Sequence, residues 1–208
     1  MNWDIPEADT YFRAILDKTP EGFEIPHLQE ALRFCRDQRR VALDVGAHIG
    51  TWTVNLAKMF DLVVAFEPAY DTFNSLDRNT KGLKNVIVRN IAIGAHPGWC
   101  QSVDDPTRLG NTGSRMVKAG GGQVRMRPLD HFEFTHVDFI KIDVEGYELE
   151  VLKGAVETIH ANKPTILMEC KEFNPPRNGG TALAVAFLAN LGYRSVGGLR
   201  NDRVFRPL

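Results

Sequence analysis

VALDVGAHIGTW, residues 41–52, is the stretch whose reading decides the fold. Its opening run, VALDV, is short and almost wholly apolar, and reads as a buried strand. Gly46 and Gly50 then bracket Ala47, His48 and Ile49, and an apolar-striped segment from Thr51 to Met59 reads as a helix. A strand that turns tightly into a helix presents unpaired backbone N–H groups at the helix start. Glycine in such a turn lets a ligand approach the backbone closely. The spacing GAHIG is shorter than the dinucleotide fingerprint GxGxxG and lacks the Lys-Ser/Thr of a phosphate loop. A carboxylate or an amino-acid tail would fit the same geometry. Asp44, just before the turn, suits an ammonium group or the orientation of the loop.

Outward from this turn, strand and helix signals alternate. LVVAFE (62–67), NVIVRNIAIG (85–94), VDFIKIDVEG (137–146) and PTILMEC (164–170) read as strands, with YRSVG (193–197) and RVFRP (203–207) as terminal strand candidates. AYDTFNSLDRN (69–79), with Tyr70, Phe73, Leu76 and Asp77 at near-helical spacing, ELEVLKGAVETIH (148–160) and ALAVAFLANLG (182–192) read as helices. Near-continuous apolar strands separated by helices indicate a mostly parallel α/β sheet covered on both faces. Residues 1–37 read as an N-terminal helical cap, not a separate domain. Its first helix, with Tyr11, Phe12 and Ile15 inward, is stopped by Pro20 and Gly22, and its second carries Leu28, Leu32 and Phe34 or Cys35 on one side. Between the third and fourth strands the expected crossover helix is missing. Residues 95–128 instead carry glycine-rich turns and short alternating runs, an inserted β-rich segment placed to shape a substrate site.

The whole chain, 208 residues, fits one domain with a real core. Its 25 basic and 26 acidic residues give a net charge of -1, without the basic excess typical of nucleic-acid coats. Cys35, Cys100 and Cys170 are odd in number and far apart, which fits reducing surroundings better than a disulfide framework. No run approaches the ~20 apolar residues of a membrane span, and the acidic N-terminus shows no signal peptide, so a cytoplasmic location is expected.

Glu67 closes the second strand about twenty residues after the glycine turn, where an acid can accept ribose hydroxyls. The ligand so implied has a ribose and a polar, zwitterionic tail, the outline of S-adenosylmethionine. DVGAHIGTWT (44–53), FEP (66–68), NIAIG (90–94) and above all KIDVEGYELEVLKGA (141–155) resemble the FkbM family of class I S-adenosylmethionine-dependent methyltransferases. The resemblance runs from about residue 40 to 171. It implies a Rossmann-like seven-stranded sheet and S-adenosylmethionine as cofactor. Carried over by position, Asp44, Gly46, His48, Gly50 and Thr51 would form the first cofactor motif and Glu67 the ribose acid. Asn90, Ala92 and Ile93 would border the adenine, and NTGS (111–114) would lie near the substrate side.

Asp143 and Glu145, two apart at a strand end, would share a face, with Glu169 at the end of the neighbouring strand. These three acids are the catalytic candidates, and Asp143 is also a candidate for the cofactor's amino group. Blander roles are helix capping for Glu145, and charge pairing of Glu169 with Lys171, Arg177 or Lys141. His48 suits loop bracing better than proton transfer. Magnesium on Asp143 and Glu169 is an alternative that no motif requires, and no metal site is assigned. The resemblance implies O-methylation of a sugar, glycan or natural-product hydroxyl, with Trp99, Arg108, Arg115, Lys118 and Arg125 as an acceptor wall. The competing readings are a nucleic-acid or protein methyltransferase, disfavoured by DVEG where an Asn/Asp-Pro-Pro-aromatic motif would stand, and a catalytically weak cofactor-binding subunit. A second copy of the chain could complete an open site as a homodimer.

Overall fold

The computed structural model describes residues 2–19, 23–172 and 180–208. Pro20, Gly22 and Arg177 lie outside them. Helices α1 (Thr10–Leu16) and α2 (Ile25–Leu32) precede β1 (Val41–Val45), α3 (Thr51–Leu56), β2 (Leu62–Phe66), α4 (Tyr70–Thr80) and β3 (Val86–Arg89). The chain continues through β4 (Ala92–Ile93), β5 (Gly98–Val103), β6 (Met116–Ala119) and β7 (Val124–Arg127). It ends with β8 (Val137–Ile142), α5 (Glu148–Lys153), α6 (Val156–Asn162), β9 (Thr165–Glu169), α7 (Gly180–Asn190), β10 (Tyr193–Leu199) and β11 (Asp202–Pro207).

A seven-stranded sheet runs β10-β11-β9-β8-β1-β2-β3. Strands β3, β2, β1, β8 and β9 are parallel, and β11 enters antiparallel to both β9 and β10. Strand order reverses between β1 and β8, so the crevice expected for a ligand in such a sheet opens at their carboxyl ends.

Period-two alternation divides the core between the two faces. Leu43, Val45, Val64, Phe66, Ile140, Ile142, Ile166 and Met168 point to one side, where α5, α6 and α7 supply Leu152, Ile159 and Leu188. Ala42, Val63, Phe139, Leu167 and Val204 point to the other, where α2 and α3 supply Leu28, Ala31, Leu32, Trp52 and Leu56. Each such fully buried leucine or isoleucine contributes roughly 1.5–3 kcal/mol. Both faces of the central strands are therefore covered, which explains their mostly apolar runs.

Several local expectations are corrected. NVIVRNIAIG is two strands in two sheets, because Asn90 breaks the run: its Nδ2 donates to the carbonyls of Glu67 and Pro68 at 2.9 and 3.0 Å. The helix expected over 148–160 breaks at Gly154, where any Cβ would lie 2.1 Å from the Gly94 carbonyl oxygen. Tyr70 and Tyr11 are 72% and 48% exposed. On α4 the expected Leu76 is buried and Phe73 packs partly against it, joined inward by Thr72, Ser75, Asn79 and Thr80; on α1 the expected Phe12 is buried, joined by Leu16.

Where a crossover helix was absent from the sequence pattern, a second sheet forms in the order β4-β7-β5-β6. It packs Ala92, Cys100 and Met126 against Tyr147, the N-cap of α5. This small sheet carries residues 104–115 to the ligand crevice. Among the described residues no helix is long and apolar enough to cross a membrane.

Candidate active site

At the carboxyl ends of β1, β2, β8 and β9 lies a cavity of about 300 Å³. Its wall includes Gly46, Ala47, His48, Thr51, Glu67, Asp143, Glu145 and Glu169, which lie far apart along the chain. Asp44, Gly50, Asn90, Ala92 and Ile93 are not on this wall.

The glycine turn is built mainly by backbone approach. Gly46 has φ +80° and a Cβ there would fall 1.8 Å from the Asp143 carbonyl oxygen, so the turns after β1 and β8 touch through backbone. His48 is also left-handed, at φ 52°. The first three amides of the turn are used within the protein. Gly46 and Ala47 donate to the Phe66 carbonyl, each at 3.0 Å, and His48 donates to Glu67 Oε2 at 2.8 Å.

Glu67 therefore organises two segments at once. Its Oε1 accepts from the Ala69 amide and the Thr72 hydroxyl, both at 2.9 Å, at the start of α4. A carboxylate offers about four acceptor positions, so roughly one, on Oε2, remains for a ligand. Burial pushes this carboxyl above the usual range, opposed by His48 and the three bonds it accepts.

Asp44 is fully buried. Its Oδ2 accepts the Thr53 hydroxyl at 2.6 Å, which ties β1 to α3, and its Oδ1 lies 3.4 Å from Lys141 Nζ. Lys141 is a residue the sequence reading used only as a charge partner. Its Nζ donates to the Gly46 carbonyl at 2.8 Å, lies 3.5 Å from Asp143 and sits over the Trp52 ring. Burial opposes its charge, but Asp44, Asp143, Glu24 and Asp202 outweigh that and hold the ammonium well above the ordinary lysine range. The signal was a lysine inside the otherwise buried strand VDFIKI.

The three catalytic candidates do converge, with one carboxylate oxygen from each of Asp143, Glu145 and Glu169 within 4.8 Å of the others. The reason differs from strand alternation. Strand β8 ends at Ile142, and Glu145 reaches the group through a left-handed turn at φ 51°. Lys171 Nζ stands among them, 2.7 Å from Glu145 and 3.3 Å from Glu169. Such a cluster has the donor set of a hard cation, but one ammonium is already shared between two of its three carboxylates. Burial raises the Glu169 carboxyl well above the usual range, and Asp143 and Glu145 push the same way against Lys171. Glu145 is raised for the same reasons.

Glu148, the first residue of α5, braces the turn that precedes the helix. It accepts from the amides of Gly146 and Val144 at 3.0 and 3.3 Å, and burial pushes it up to about 7.

His48 joins the glycine turn to two other segments. Its Nε2 lies 2.7 Å from the Thr112 hydroxyl and 3.5 Å from Asp9, and Asp9 also accepts from Thr112 and caps α1 through the Phe12 amide. Of the expected acceptor wall, Arg108 and Arg115 line the cavity and Trp99, Lys118 and Arg125 do not. Trp99 is 53% exposed, with the Arg125 guanidinium 5.6 Å from its ring. Arg115 is bound by Asp71 and Asp104.

A second polar group on the wall escaped the sequence reading: Glu24 and His27 from the start of α2, and Asp202 from β11. The sequence separates them by 175 residues, and only α2 lying on β10 brings them together.

Known proteins share this framework. A hexuronic acid methyltransferase, AglP, of Haloferax volcanii is 30% identical over 128 residues, which are 58% of this chain and 52% of that protein. The chain thus spans about half the length of the curated relative it matches. The crystal structure of an FkbM methyltransferase from Methylobacillus flagellatus aligns over 86% of this chain and 49% of that one, with TM-score 0.56 and 21% identity. That of a precorrin 8W decarboxylase from Methanobacterium thermoautotrophicum aligns over all of both chains, with TM-score 0.51 and 14% identity. At these identities the two structures speak for the fold, a methyltransferase-like sheet with flanking helices. The family model for the methyltransferase FkbM domain matches residues 44–195. That span runs from the buried Asp44 through the glycine turn, Glu67 and the acidic cluster into β10, and it shows that the chain belongs to the FkbM methyltransferase domain family.

Proposed function

We propose that this chain is a class I S-adenosylmethionine-dependent O-methyltransferase acting on a hydroxyl of a sugar, glycan or related small molecule. The observation that carries this is one cavity at the strand-order switch point that joins the Gly46–Thr51 turn, Glu67 and Asp143. In this reading residues 1–208 act as one methyltransferase domain. Residues 1–37 cap the site, and 95–128 shape its acceptor side.

The donor set suits the cofactor. Glu67 keeps about one acceptor position for a ribose hydroxyl, Thr51 and Trp52 line the same wall, and acids dominate the side where a cationic ligand would be favoured. Asn90, Ala92 and Ile93 support this site from behind: Asn90 fixes the Glu67 backbone and the other two anchor β4. S-adenosylmethionine supplies an electrophilic methyl group and its leaving group together. The protein is left to align the acceptor, exclude water and manage charge and a proton. Asp143, the acid of the trio without a contact to Lys171 shorter than 4 Å, presents a negative charge toward the bound cation or the acceptor. Glu145, Glu169 and Lys171 set the field around it. The sugar acceptor is supported by the hexuronic acid relative.

Isothermal calorimetry tests this directly. S-adenosylmethionine and S-adenosylhomocysteine should bind near one per chain, and NADH should not. NADH binding without a response to either sulfur compound would overturn the proposal.

A further inference from the structure

The His27–Asp202 pair lines the same cavity, and the reading above gives it no role in the reaction. Three features set it apart from an exposed polar cluster. His27 Nδ1 lies 2.5 Å from Asp202 Oδ2, with both side chains about nine-tenths buried. The described residues make no other side-chain hydrogen bond to the His27 ring, so Nε2 is left without a protein partner while His27 lines the cavity. The support is rigid on both sides. His27 sits in the first turn of α2, whose N-cap Glu24 accepts the Trp52 indole N–H at 3.1 Å. Asp202 opens β11, in register with Glu169 of β9.

An imidazole whose Nδ1–H is held by a buried carboxylate has its other nitrogen fixed as a proton acceptor. We infer that His27, oriented by Asp202, is the general base that takes the proton of the acceptor hydroxyl. The inference rests on the methyl-transfer reading above. A carboxylate acceptor is already anionic and needs no base, whereas a sugar hydroxyl must lose a proton as its oxygen attacks. In that step the O–H proton passes to His27 Nε2 while the acceptor oxygen forms its bond to the methyl carbon. The carbon–sulfur bond breaks with its electron pair remaining on sulfur. Imidazolium, a neutral ether and a neutral thioether result. Asp202 is the positioning residue, and its charge stabilises the imidazolium.

Other charged groups share the cavity wall with His27: Glu24 from the start of its own helix, Lys141 from β8, Asp143 just after that strand, Glu169 from β9, and Arg200 from the β10–β11 turn.

The test uses p-nitrophenyl β-D-glucuronide, which offers hydroxyls and a carboxylate in one molecule, with the full chain. The expected product is an ether that survives mild alkali. His27→Gln should lower kcat at least about a hundredfold and remove the rising limb of its pH profile, with S-adenosylhomocysteine affinity retained by calorimetry. Asp202→Asn keeps an acceptor for Nδ1–H but removes the charge. It should move the limb to lower pH, and NMR should show the His27 ring in the unliganded protein titrating lower to match. An alkali-labile ester, a rising limb that survives His27→Gln, a His27 titration unmoved in Asp202→Asn, or no transfer to the glucuronide each overturns the inference. Loss of S-adenosylhomocysteine binding by the wild type instead removes the cofactor reading beneath it.

Discussion

Replacing Lys141 with Met removes one buried cation and leaves the volume nearly unchanged. Asp44 is then stranded: it is fully buried, its Oδ2 bonded to Thr53 and its Oδ1 facing the empty position of the ammonium 3.4 Å away. At an effective dielectric of about 20, that separation corresponds to about 5 kcal/mol of Coulomb attraction. Desolvation offsets much of this in the intact pair, but breaking a buried pair leaves the remaining charge uncompensated, at a cost of about 3–5 kcal/mol. The Gly46 carbonyl also loses its 2.8 Å donor. Lysine's folded value lies above its ordinary one, so the stabilisation is fully present at pH 7 and is lost only as pH rises through the folded value. Urea unfolding at pH 7, with a slope of about 2.5 kcal/mol/M, should therefore show the midpoint of Lys141→Met about 1–2 M below wild type. Adding Asp44→Asn should restore part of the loss, because Asn still accepts the Thr53 hydroxyl and carries no charge. The double variant should be more stable than additivity predicts by at least about 2 kcal/mol. A loss under about 1 kcal/mol, or strict additivity, would refute the argument that the pair is coupled.

Glu67→Gln should weaken S-adenosylhomocysteine binding about ten- to a hundredfold in calorimetry, the loss of one charged hydrogen bond of roughly 1.5–3 kcal/mol; an unchanged affinity removes Glu67 from the ligand. Asp143→Asn should cost at least about tenfold in rate at saturating cofactor, and full activity would return that residue to loop support. Chelation by EDTA should leave the rate unchanged, because Lys171 already occupies the space between Glu145 and Glu169; loss of activity restored by added magnesium would assign the cluster to a metal. Glu148, raised from 4.5 to about 7 by burial, favours the folded state least when ionised, so its penalty grows as pH rises between those values. At about 1.4 kcal/mol per pH unit that is about 3 kcal/mol, and Glu148→Gln should flatten the fall in unfolding free energy between pH 5 and 8 by that order. A difference between the two proteins that does not change with pH would rule out this source.

The sequence by itself determined the sheet and the place of the cavity at its strand ends. Strands buried on both faces are mostly apolar, so VALDV, LVVAF, VDFIKI and TILME announce themselves without any partner in view. The turn after VALDV and the acid after LVVAF then locate the cavity, because a glycine turn and a strand-end acid are local features. The acids of DVEG and MEC were legible for the same reason, although their meeting depends on a left-handed turn at Glu145 that extended-strand geometry does not describe. What only the tertiary structure decided is how each polar group is occupied. Asp44 looks like a cofactor residue along the chain, yet it is folded behind the turn against Lys141 and Thr53. Three of the four acceptor positions of Glu67 go to its own protein. His27 and Asp202 stand 175 residues apart and carry no shared motif. Their pairing is set by α2 lying on the β10–β11 hairpin, a contact between elements that no window of sequence contains. Local pattern reports which surface a segment buries, whereas a hydrogen bond between distant side chains exists only once the helices and strands that carry them have packed.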